Sequence, residues 1–485
     1  MTISSIRIIT VILLLASMHL YGKAGNAQND PNTERPNILL VVADDMGYRD
    51  LNSYGGIPET PHTDQLARNG IRFTDFYAAA SNCSPSRAGL LTGRSPARVG
   101  MYSYRPSNHP MHLRDSEITI AEVLKDQGYK TAHFGKWHLG NLPVEEGLDH
   151  PQPDEQGFDY WFATENNASP SHLNPDNFIR NGERLGELKG YSCQLVADEI
   201  TSWLDSRKDT TSPFFINLSF NEPHRKVASP PELIDKYDDE YTDFDAKYHA
   251  NIENIDSAMG RIMTHLKNND LMDNTLIIFS SDNGSYRNDS NGGLEGKKSF
   301  LYEGGIRVPG IIYWPETIKE GRVSREPAGF VDLMPTIVDL VNADTLNRRT
   351  IDGTSLMPII NGNENQFERD KPLFWFFYRT SPEISMRIGD YMIMGISNDT
   401  VPRTHHFTRP DMKFIKNMEL EDYELYNLAE DQSQYNDIYG SHPESQKFRQ
   451  MLDDKLDEIQ KQGYTWDNLP EAGNYRKVKT QWMQY

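Results

Sequence analysis

Cysteine is nearly absent from this sequence. Only Cys83 and Cys193 occur among 485 residues. A chain of this length can bury one large hydrophobic core, or a large core and a smaller appended one. Two cysteines exclude a disulfide-rich scaffold, so the core must supply the stability. In an exported chain the two thiols could still pair with each other as a single disulfide.

Positive charge is also scarce. The 49 Lys and Arg residues are outnumbered by 70 Asp and Glu residues, which gives a formal net charge of -21. An anionic surface repels nucleic acids and anionic membranes, and no long basic tract offsets it here. We therefore expect no nucleic-acid partner. Beyond the N-terminal segment no stretch is long and apolar enough to cross a bilayer, so we expect no stable membrane insertion.

The N-terminal segment has the layout of a secretory signal peptide. Arg7 precedes an apolar run at 8–16, and a stretch with small residues follows up to Ala27. This layout predicts a signal peptide at residues 1–27 and a disordered linker at 28–35. A membrane anchor is the alternative, but the apolar run is short for a bilayer span. The segment predicts export, to the periplasm or to the outside of a bacterial cell.

Four apolar stretches have the composition of buried β-strands, and each ends in polar residues. They are residues 37–43, 129–134, 214–220 and 275–280. The polar residues that follow them are Asp44 and Asp45, Lys136 and His138, His224, and Asp282 and Asn283. Alternation with helical patterns predicts an α/β fold, a large mixed or mostly parallel sheet flanked by helices. Open sheets of this kind bind ligands at the carboxyl ends of their strands, so the pattern predicts one shared site.

The helical patterns and the C-terminal third complete the predicted architecture. Thr119 and Glu122 form a capping-box pattern for a helix that stops at Gly128. Apolar residues at helical spacing across 196–204 and 252–266 predict two amphipathic helices. From about Lys371 the sequence changes to short aromatic runs at 373–378 and 391–394, then a charged helix at about 443–462. We predict a main domain at 36–370 and a smaller C-terminal α+β subdomain at 371–485, built on a short antiparallel sheet.

Hard oxygen ligands are concentrated at two of the predicted strand ends. Asp44 with Asp45, and Asp282 with Asn283, offer carboxylate and amide oxygens that suit Ca²⁺ or Mg²⁺ better than Zn²⁺. An Asp-Asp pair alone is more often a solvated turn, but a second pair at an equivalent strand end favours a metal site. Ca²⁺ is the first choice because it tolerates irregular geometry, and Mg²⁺ is the second.

Cys83 stands where a helix is expected to begin. Ser84 is a good N-cap residue and Pro85 suits the first helical position. The free N–H groups and the dipole of a helix N-terminus favour an anion, so a nucleophile here would meet a negatively charged ester. A cysteine before a helix is by itself more often structural, and thiolate chemistry is the other alternative.

The sequence from Cys83 to Arg94 reads CSPSRAGLLTGR. It resembles the signature of the type I sulfatases, Cys-x-Pro-Ser-Arg followed by Leu-Leu-Thr-Gly-Arg, without a departure. The resemblance extends to Asp44 and Asp45 and to residues 135–140, 223–224, 281–284, 298–309 and 423–428. It implies the alkaline phosphatase-like fold, hydrolysis of sulfate esters and a catalytic domain at 36–370. In this family a maturation enzyme converts the signature cysteine to formylglycine.

The resemblance also implies roles for the matching residues. Arg87 and Lys136 would hold the hydrated aldehyde, and His138 would act as base on its second hydroxyl. One hydroxyl would attack sulfur, and deprotonation of the other would expel sulfate. His224 and Lys298 would contact the sulfate and the leaving oxygen, and Lys298 matches the family's lysine better than the adjacent Lys297. The cation would be bound by Asp44, Asp45, Asp282, Asn283 and the formylglycine derived from Cys83.

The substrate predicted from export, the acidic surface and the bacterial type of leader is a sulfated poly- or oligosaccharide. A phosphodiester or phosphonate monoester hydrolase of the same superfamily is one alternative. A non-catalytic glycan-binding protein is another, although such a protein would normally have lost part of the charged set.

The remaining cysteine and histidines are predicted to have structural or solvent-exposed positions. Cys193 is expected to be a buried free thiol, and His133, within a predicted strand, to be structural. His62, His172, His405 and His406 are expected in solvated loops. Arg403, His405 and His406 could instead line a substrate pocket.

Overall fold

Strands and helices alternate along the chain from Asn37 onward, in the computed structural model of the protein. The structure describes residues 35–143, 149–237, 239–344, 349–397 and 407–471. The predicted signal peptide, the predicted linker up to residue 34, and Arg403, His405 and His406 lie outside these residues.

The described strands are β1 Asn37–Asp44, β2 Ile71–Phe73, β3 Phe76–Tyr77, β4 Lys130–Lys136, β5 Tyr160–Thr164, β6 Ile179–Arg180, β7 Glu183–Arg184, β8 Phe214–Pro223, β9 Thr275–Ser281, β10 Gly310–Tyr313, β11 Arg322–Ser324, β12 Ala328–Gly329, β13 Leu373–Phe376, β14 Ile384–Ile388, β15 Tyr391–Ile396 and β16 Asp422–Asn427. The described α-helices are Pro61–Asn69, Cys83–Thr92, Pro96–Val99, Ile120–Asp126, Ser192–Ser206, Pro231–Ile234, Asp243–Asn268, Glu303–Ile306, Leu333–Val341, Met357–Ile360, Arg409–Asn417 and Ser445–Gln462.

Ten strands form one large mixed sheet, in the order β11-β2-β10-β9-β1-β8-β4-β5-β6-β7. The five central strands, β9-β1-β8-β4-β5, run parallel to one another. Their carboxyl ends therefore lie along one edge of the sheet. The predicted mixed, mostly parallel sheet is confirmed, and so is the position of its four predicted strands at the centre.

Each face of the sheet is covered by its own hydrophobic cluster. Along β1, Ile38, Leu40 and Val42 belong to one cluster, while Leu39, Val41 and Ala43 belong to the other. A strand buried on both faces is apolar throughout, because successive side chains point to opposite sides. This explains why the central strands appear in the sequence as continuous apolar runs.

Helices cover both faces, as the amphipathic patterns predict. The apolar residues of helices Ser192–Ser206 and Asp243–Asn268 lie in the cluster that contains Leu39. Helices Cys83–Thr92 and Leu333–Val341 contribute to the other cluster. The capping box of Thr119 and Glu122 is present, and its helix ends at Asp126, two residues before Gly128, whose φ is +87°. Among the described residues, no helix combines the length and the apolar character that crossing a bilayer requires.

A second sheet lies in the C-terminal third of the chain. Its four strands, in the order β13-β14-β15-β16, are all antiparallel. Helix Ser445–Gln462 follows them, close to the predicted span of 443–462. The predicted short antiparallel sheet is thus confirmed, whereas the boundary between residues 370 and 371 remains a prediction.

Candidate active site

Four central strands deliver charged side chains to the same edge of the large sheet. Asp44 is the last residue of β1 and Lys136 the last of β4, while Asp282 and His224 directly follow β9 and β8. Asp44 is aligned with Pro223 of β8, and Ala43 with Ser281 of β9. The register of three neighbouring strands therefore brings these residues together, as the sequence predicts.

The acidic groups form a hydrogen-bonded cluster at this edge. The Asp45 N–H donates to Asp282 Oδ1 at 3.1 Å, and Asn283 Nδ2 donates to Asp45 Oδ1 at 2.7 Å. Asp45 has a φ of +67°, in the left-handed region that side chains rarely adopt. Asp44, Asp282 and Asn283 are fully buried and Asp45 is almost so.

Four cationic or basic side chains surround the acids. Two guanidinium N–H groups of Arg87 donate to Asp282 Oδ2, at 3.0 and 2.7 Å. Lys136 Nζ lies 2.7 Å from Asp44 Oδ2, and Lys298 Nζ lies 2.6 and 2.7 Å from the two carboxylate oxygens of Asp45. His224 Nε2 is 3.4 Å from Asp45 Oδ2. Buried charges persist in proteins when they are paired in this way.

Cys83 lies within the same cluster. Its Sγ atom and carboxylate oxygens of Asp44 and Asp282 all lie within 4.8 Å of one another. The thiol is buried, with 3% of the residue exposed, and burial raises its pKa above the ordinary value for cysteine. A thiol of this kind is a poor thiolate nucleophile, because the thiolate is the reactive form.

The helix that carries Cys83 begins two residues earlier than predicted. Asn82 occupies the N-cap position and Cys83 is the first helical residue, so Pro85 is the third. The Ser84 hydroxyl accepts a hydrogen bond from the Arg105 N–H at 2.9 Å and does not cap the helix. The prediction of Ser84 as cap was wrong, but the position of Cys83 at a helix N-terminus is confirmed.

The protonation of His138 follows from its contacts. Its Nε2 atom lies 2.8 Å from the Arg105 carbonyl oxygen, which can only accept, so Nε2 carries the proton. Nδ1 is then a bare lone pair, and it is buried without a hydrogen-bond partner among the described residues. Burial, with the charge of Lys136, holds the pKa of His138 well below its usual range. The side chain is thus a neutral base.

The two central carboxyl groups have opposite pKa shifts. Burial would raise the pKa of Asp44, but Lys136, His224 and Arg87 outweigh it and lower the pKa below the ordinary range. Burial and the Asp44 carboxylate raise the pKa of Asp282 to about 7. Several carboxylates this close together oppose the ionisation of all of them, unless further positive charge is supplied.

The residues fit a bound cation of the hard-oxygen class. Asp44 Oδ1 and Asn283 Oδ1 are buried, and neither accepts a hydrogen bond from any described residue. Orphaned buried oxygens are costly, and a metal ion is one way to satisfy them. With Asp45 and Asp282 they form an oxygen-rich donor set of the kind that Ca²⁺ and Mg²⁺ use.

Two residues of this neighbourhood were missed by the sequence analysis. Arg105 holds both Ser84 and His138 through its main-chain N–H and C=O groups. Asn167 accepts a hydrogen bond from Lys136 Nζ at 3.0 Å through its Oδ1 atom. Asn167 follows β5, so the strand-end pattern could have identified it, whereas main-chain contacts such as those of Arg105 leave no signature of residue type.

The remaining cysteine and histidines have structural positions. Cys193 is a buried free thiol, as predicted, and His133 is buried and hydrogen-bonded to Asn217 at 2.9 Å. The expectation of solvated loops is wrong for His172, which is fully buried, and for His62, which lies in helix Pro61–Asn69. The sequence does not predict these two positions, because the short polar segments around them have no periodic hydrophobic pattern.

Comparison with known proteins agrees with this geometry. The Sulfatase family model matches residues 36–343, and the model for the N-sulphoglucosamine sulphohydrolase C-terminal region matches residues 296–462. The chain is 33% identical to N-acetylgalactosamine-6-sulfatase of Canis lupus familiaris over 78% of this chain and 74% of that protein. It is 32% identical to human arylsulfatase A over 84% of this chain and 83% of that protein.

Among solved structures, Ps i-CgsB in complex with k-i-k-neocarrahexaose superposes with a TM-score of 0.74 and 25% identity. The match covers 89% of this chain and 94% of that one. These similarities span both the large sheet and the C-terminal region. The chain therefore belongs to the sulfatase family, has its alkaline phosphatase-like fold, and is a sulfuric ester hydrolase.

Proposed function

We propose that this enzyme removes sulfate from sugars, using a formylglycine derived from Cys83 and a bound Ca²⁺ ion. The observation that carries the proposal is the meeting of Asp44, Asp282 and Cys83 within 4.8 Å, at the edge where four strands end. Arg87, Lys136, Lys298 and His224 surround this point. A sulfate monoester is anionic, and these cationic and hydrogen-bonding side chains suit it.

The oxygen ligands assigned to the cation are Asp44, Asp45, Asp282 and Asn283, with the modified residue 83 beside them. Asp44 and Asn283 contribute the two orphaned buried oxygens. When bound, the cation would polarise the sulfate oxygens and neutralise negative charge on them. The conversion of Cys83 would supply a hydrated aldehyde, whose hydroxyl is a better nucleophile here than a buried thiol of raised pKa.

The cationic side chains bind and orient the substrate in this proposal. Arg87, the fifth residue of helix Cys83–Thr92, and Lys136 stand next to residue 83 and would hold the oxygen atoms of its hydrated aldehyde. Lys298 and His224, both paired with Asp45, are placed to contact the sulfate and the leaving oxygen. Lys298 stays protonated at neutral pH, because Asp45 and the neighbouring acids outweigh burial and raise its pKa. Its positive charge can therefore stabilise negative charge on the leaving oxygen.

His138 is the proposed base. Its Nδ1 lone pair is free to accept a proton because Nε2 donates to the Arg105 carbonyl. The same Arg105 binds Ser84, the residue after Cys83, so base and nucleophile are held by one residue. A general base must be unprotonated to accept a proton, and the neutral imidazole of His138 meets this requirement.

The proposal of a sugar substrate rests on the relatives. One acts, by its name, on N-acetylgalactosamine 6-sulfate, and the solved structure of another holds a neocarrahexaose. The predicted export to the periplasm or the medium, and the maturation enzyme that would act on Cys83, belong to the same proposal. An exported enzyme would meet sulfated poly- or oligosaccharides outside the cell.

The test combines mass spectrometry with an activity assay. The full chain is expressed with and without a formylglycine-generating enzyme, and the peptide that contains Cys83 is analysed. We expect sulfate release from sulfated sugars to rise in proportion to the converted fraction, and to vanish in Cys83→Ala. Full activity with an unmodified thiol would refute the mechanism. Faster turnover of aryl phosphodiesters than of aryl sulfates would instead favour the phosphodiester or phosphonate alternative.

A further inference from the structure

A cavity of about 420 Å³ opens beside the proposed active site. Its walls include Glu165, Asn167, Asn177, Arg184, Arg225 and Lys226. Two connections join it to the site. Asn167 accepts a hydrogen bond from Lys136 at 3.0 Å, and Arg225 directly follows His224. A ligand in this cavity would therefore lie next to groups that handle the sulfate.

Three cations of this cavity have no acidic partner. Within the described ranges, no carboxylate lies at ion-pair distance from the side chains of Arg184, Arg225 or Lys226, and all three residues are exposed. The neighbouring Arg180, by contrast, pairs with Glu199 at 2.6 Å. In a chain with a net charge of -21, three cations without an ion pair around one cavity form a local positive patch.

The acid in the cavity wall does not neutralise these cations. Glu165 pairs with Arg105 at 3.1 Å and also accepts a hydrogen bond from the Leu142 N–H at 3.2 Å. The Arg225 guanidinium lies 4.8 Å from the centre of the Tyr286 ring, which restrains it without cancelling its charge. The cavity therefore keeps a positive field for an incoming ligand.

This positive charge exceeds what a single sulfate requires. In the proposed mechanism Arg87 and Lys136 hold residue 83 and Lys298 contacts the sulfate to be cleaved, and each of the three is paired with an acid of the site. The additional cations, together with the carboxamides of Asn167 and Asn177, suit a ligand that carries both hydroxyls and a second negative charge. Arginine in particular binds carboxylate and sulfate oxygens through two parallel N–H groups.

We propose that this cavity, defined by Arg184, Arg225 and Lys226, binds a second anionic group on the substrate, so that the enzyme prefers sugars with two negative charges. The second group is a carboxylate of a uronic acid or another sulfate. This inference rests on the proposed function and adds to it the chemical class of the preferred substrate. Binding of the second anion orients the sugar with its scissile sulfate toward residue 83.

The test compares substrates that differ by one charge. The full chain, matured with the converting enzyme, is assayed on 4-nitrophenyl sulfate and on three sulfated disaccharides. One disaccharide carries a single sulfate, one a second sulfate, and one a uronate next to the sulfated sugar. The variants are Arg184→Gln and Lys226→Gln. Lys461→Gln is the matched control because it removes one charge from the exposed side of helix Ser445–Gln462, which does not line the cavity.

We expect the wild-type enzyme to have a higher kcat/KM for at least one doubly charged disaccharide than for the singly charged one. Arg184→Gln and Lys226→Gln should each lower the ratio of these two values by about tenfold, as expected for the loss of a hydrogen bond to a charged group. The loss should appear mainly in KM and shrink at high salt, because screening weakens exposed charge pairs. Lys461→Gln should keep the wild-type ratio. The doubly charged disaccharide for which the variants lower this ratio identifies the second anion as a carboxylate or a sulfate.

Two outcomes would overturn the inference while leaving the proposed function intact. One is a wild-type enzyme that desulfates all three disaccharides equally well. The other is that the ratio of kcat/KM for the doubly charged to the singly charged disaccharide is the same in Arg184→Gln and Lys226→Gln as in Lys461→Gln. If no sulfate ester is hydrolysed at all, the proposed function fails, and calorimetry of the doubly charged disaccharides then decides the cavity separately. If the wild-type enzyme binds these disaccharides and the variants bind them about tenfold more weakly, the inference of an anion site stands. If the wild type and the variants bind equally well, or if neither binds, the inference is wrong.

Discussion

Replacement of Lys298 by methionine should remove most of the activity, whereas the same change at Lys297 should not. The two lysines are adjacent in sequence, but the structure separates them. Lys298 Nζ lies 2.6 and 2.7 Å from the two Asp45 oxygens, and only 16% of its side chain is exposed. Lys297 forms no ion pair with any described residue, and partial burial lowers its pKa. Lys297→Met is therefore a control that matches the chemistry of the change.

The magnitude follows from the charge that Lys298 contributes. A preorganised donor aimed at developing negative charge is typically worth about 10²- to 10³-fold in kcat. We expect kcat/KM of Lys298→Met to fall by about that factor on any sulfate ester, and kcat/KM of Lys297→Met to stay within about twofold of wild type. Lys298→Arg should recover only part of the loss, because a guanidinium cannot reproduce the position of the ammonium.

The assay must separate catalysis from folding. Removal of Lys298 leaves Asp45 with fewer partners, which can cost up to about 3 kcal/mol of unfolding free energy. Urea unfolding of each variant gives this cost, and rates are then expressed per folded, formylglycine-containing molecule. Equal losses in the two variants, or a larger loss in Lys297→Met, would show that the assignment of the ammonium to the substrate is wrong.

Three further predictions concern the cation and the C-terminal region. Dialysis against a chelator should abolish sulfate release and lower Tm, because a ligand at a hundredfold excess over Kd stabilises the folded state by about 2.7 kcal/mol. Addition of Ca²⁺ should restore both the activity and Tm better than addition of Mg²⁺. Arg98→Met should lower the unfolding free energy in urea by about 3 kcal/mol, because Arg98 is fully buried and binds Asp352 at 2.8 Å and Glu458 at 2.6 Å. Burial would raise the pKa of Asp352, but Arg98 and Lys455 outweigh it and lower the pKa to about 2, so this carboxylate should stabilise the fold above about pH 4 and lose its contribution as the pH falls toward 2. Asp352→Asn should flatten that part of the stability profile measured by urea unfolding.

The sequence carries enough information to place the site, because the relevant residues follow strands of one parallel sheet. Asp44, Lys136, His224 and Asp282 each stand at or just after a buried apolar run, and parallel strands share one carboxyl edge. Residue type and position were therefore sufficient for this part of the prediction. The same logic extends to Asn167, whose strand Tyr160–Thr164 was not among the runs considered.

The parts that could not be predicted depend on contacts without a pattern in residue type. Arg105 acts through its main-chain groups, which every residue possesses, so no spacing indicates it. The helix cap was predicted at Ser84 but lies at Asn82. Ser84 and Pro85 also suit a helix start, and only the tertiary structure shows that the Ser84 hydroxyl binds the Arg105 N–H instead. His172 was expected in solvent because its loop is polar, yet its side chain is fully buried although the next residue, Leu173, is exposed.

The burial of Cys83 constrains when the proposed conversion to formylglycine can take place. Only 3% of the residue is accessible, and its backbone already belongs to a helix. A maturation enzyme needs to grip several residues on either side of its target, and the folded chain offers it none of them. On this proposal, oxidation of Cys83 comes first, on a newly made or still unfolded polypeptide, and folding follows it. A batch that folds with its thiol intact would be beyond later rescue unless it is first unfolded.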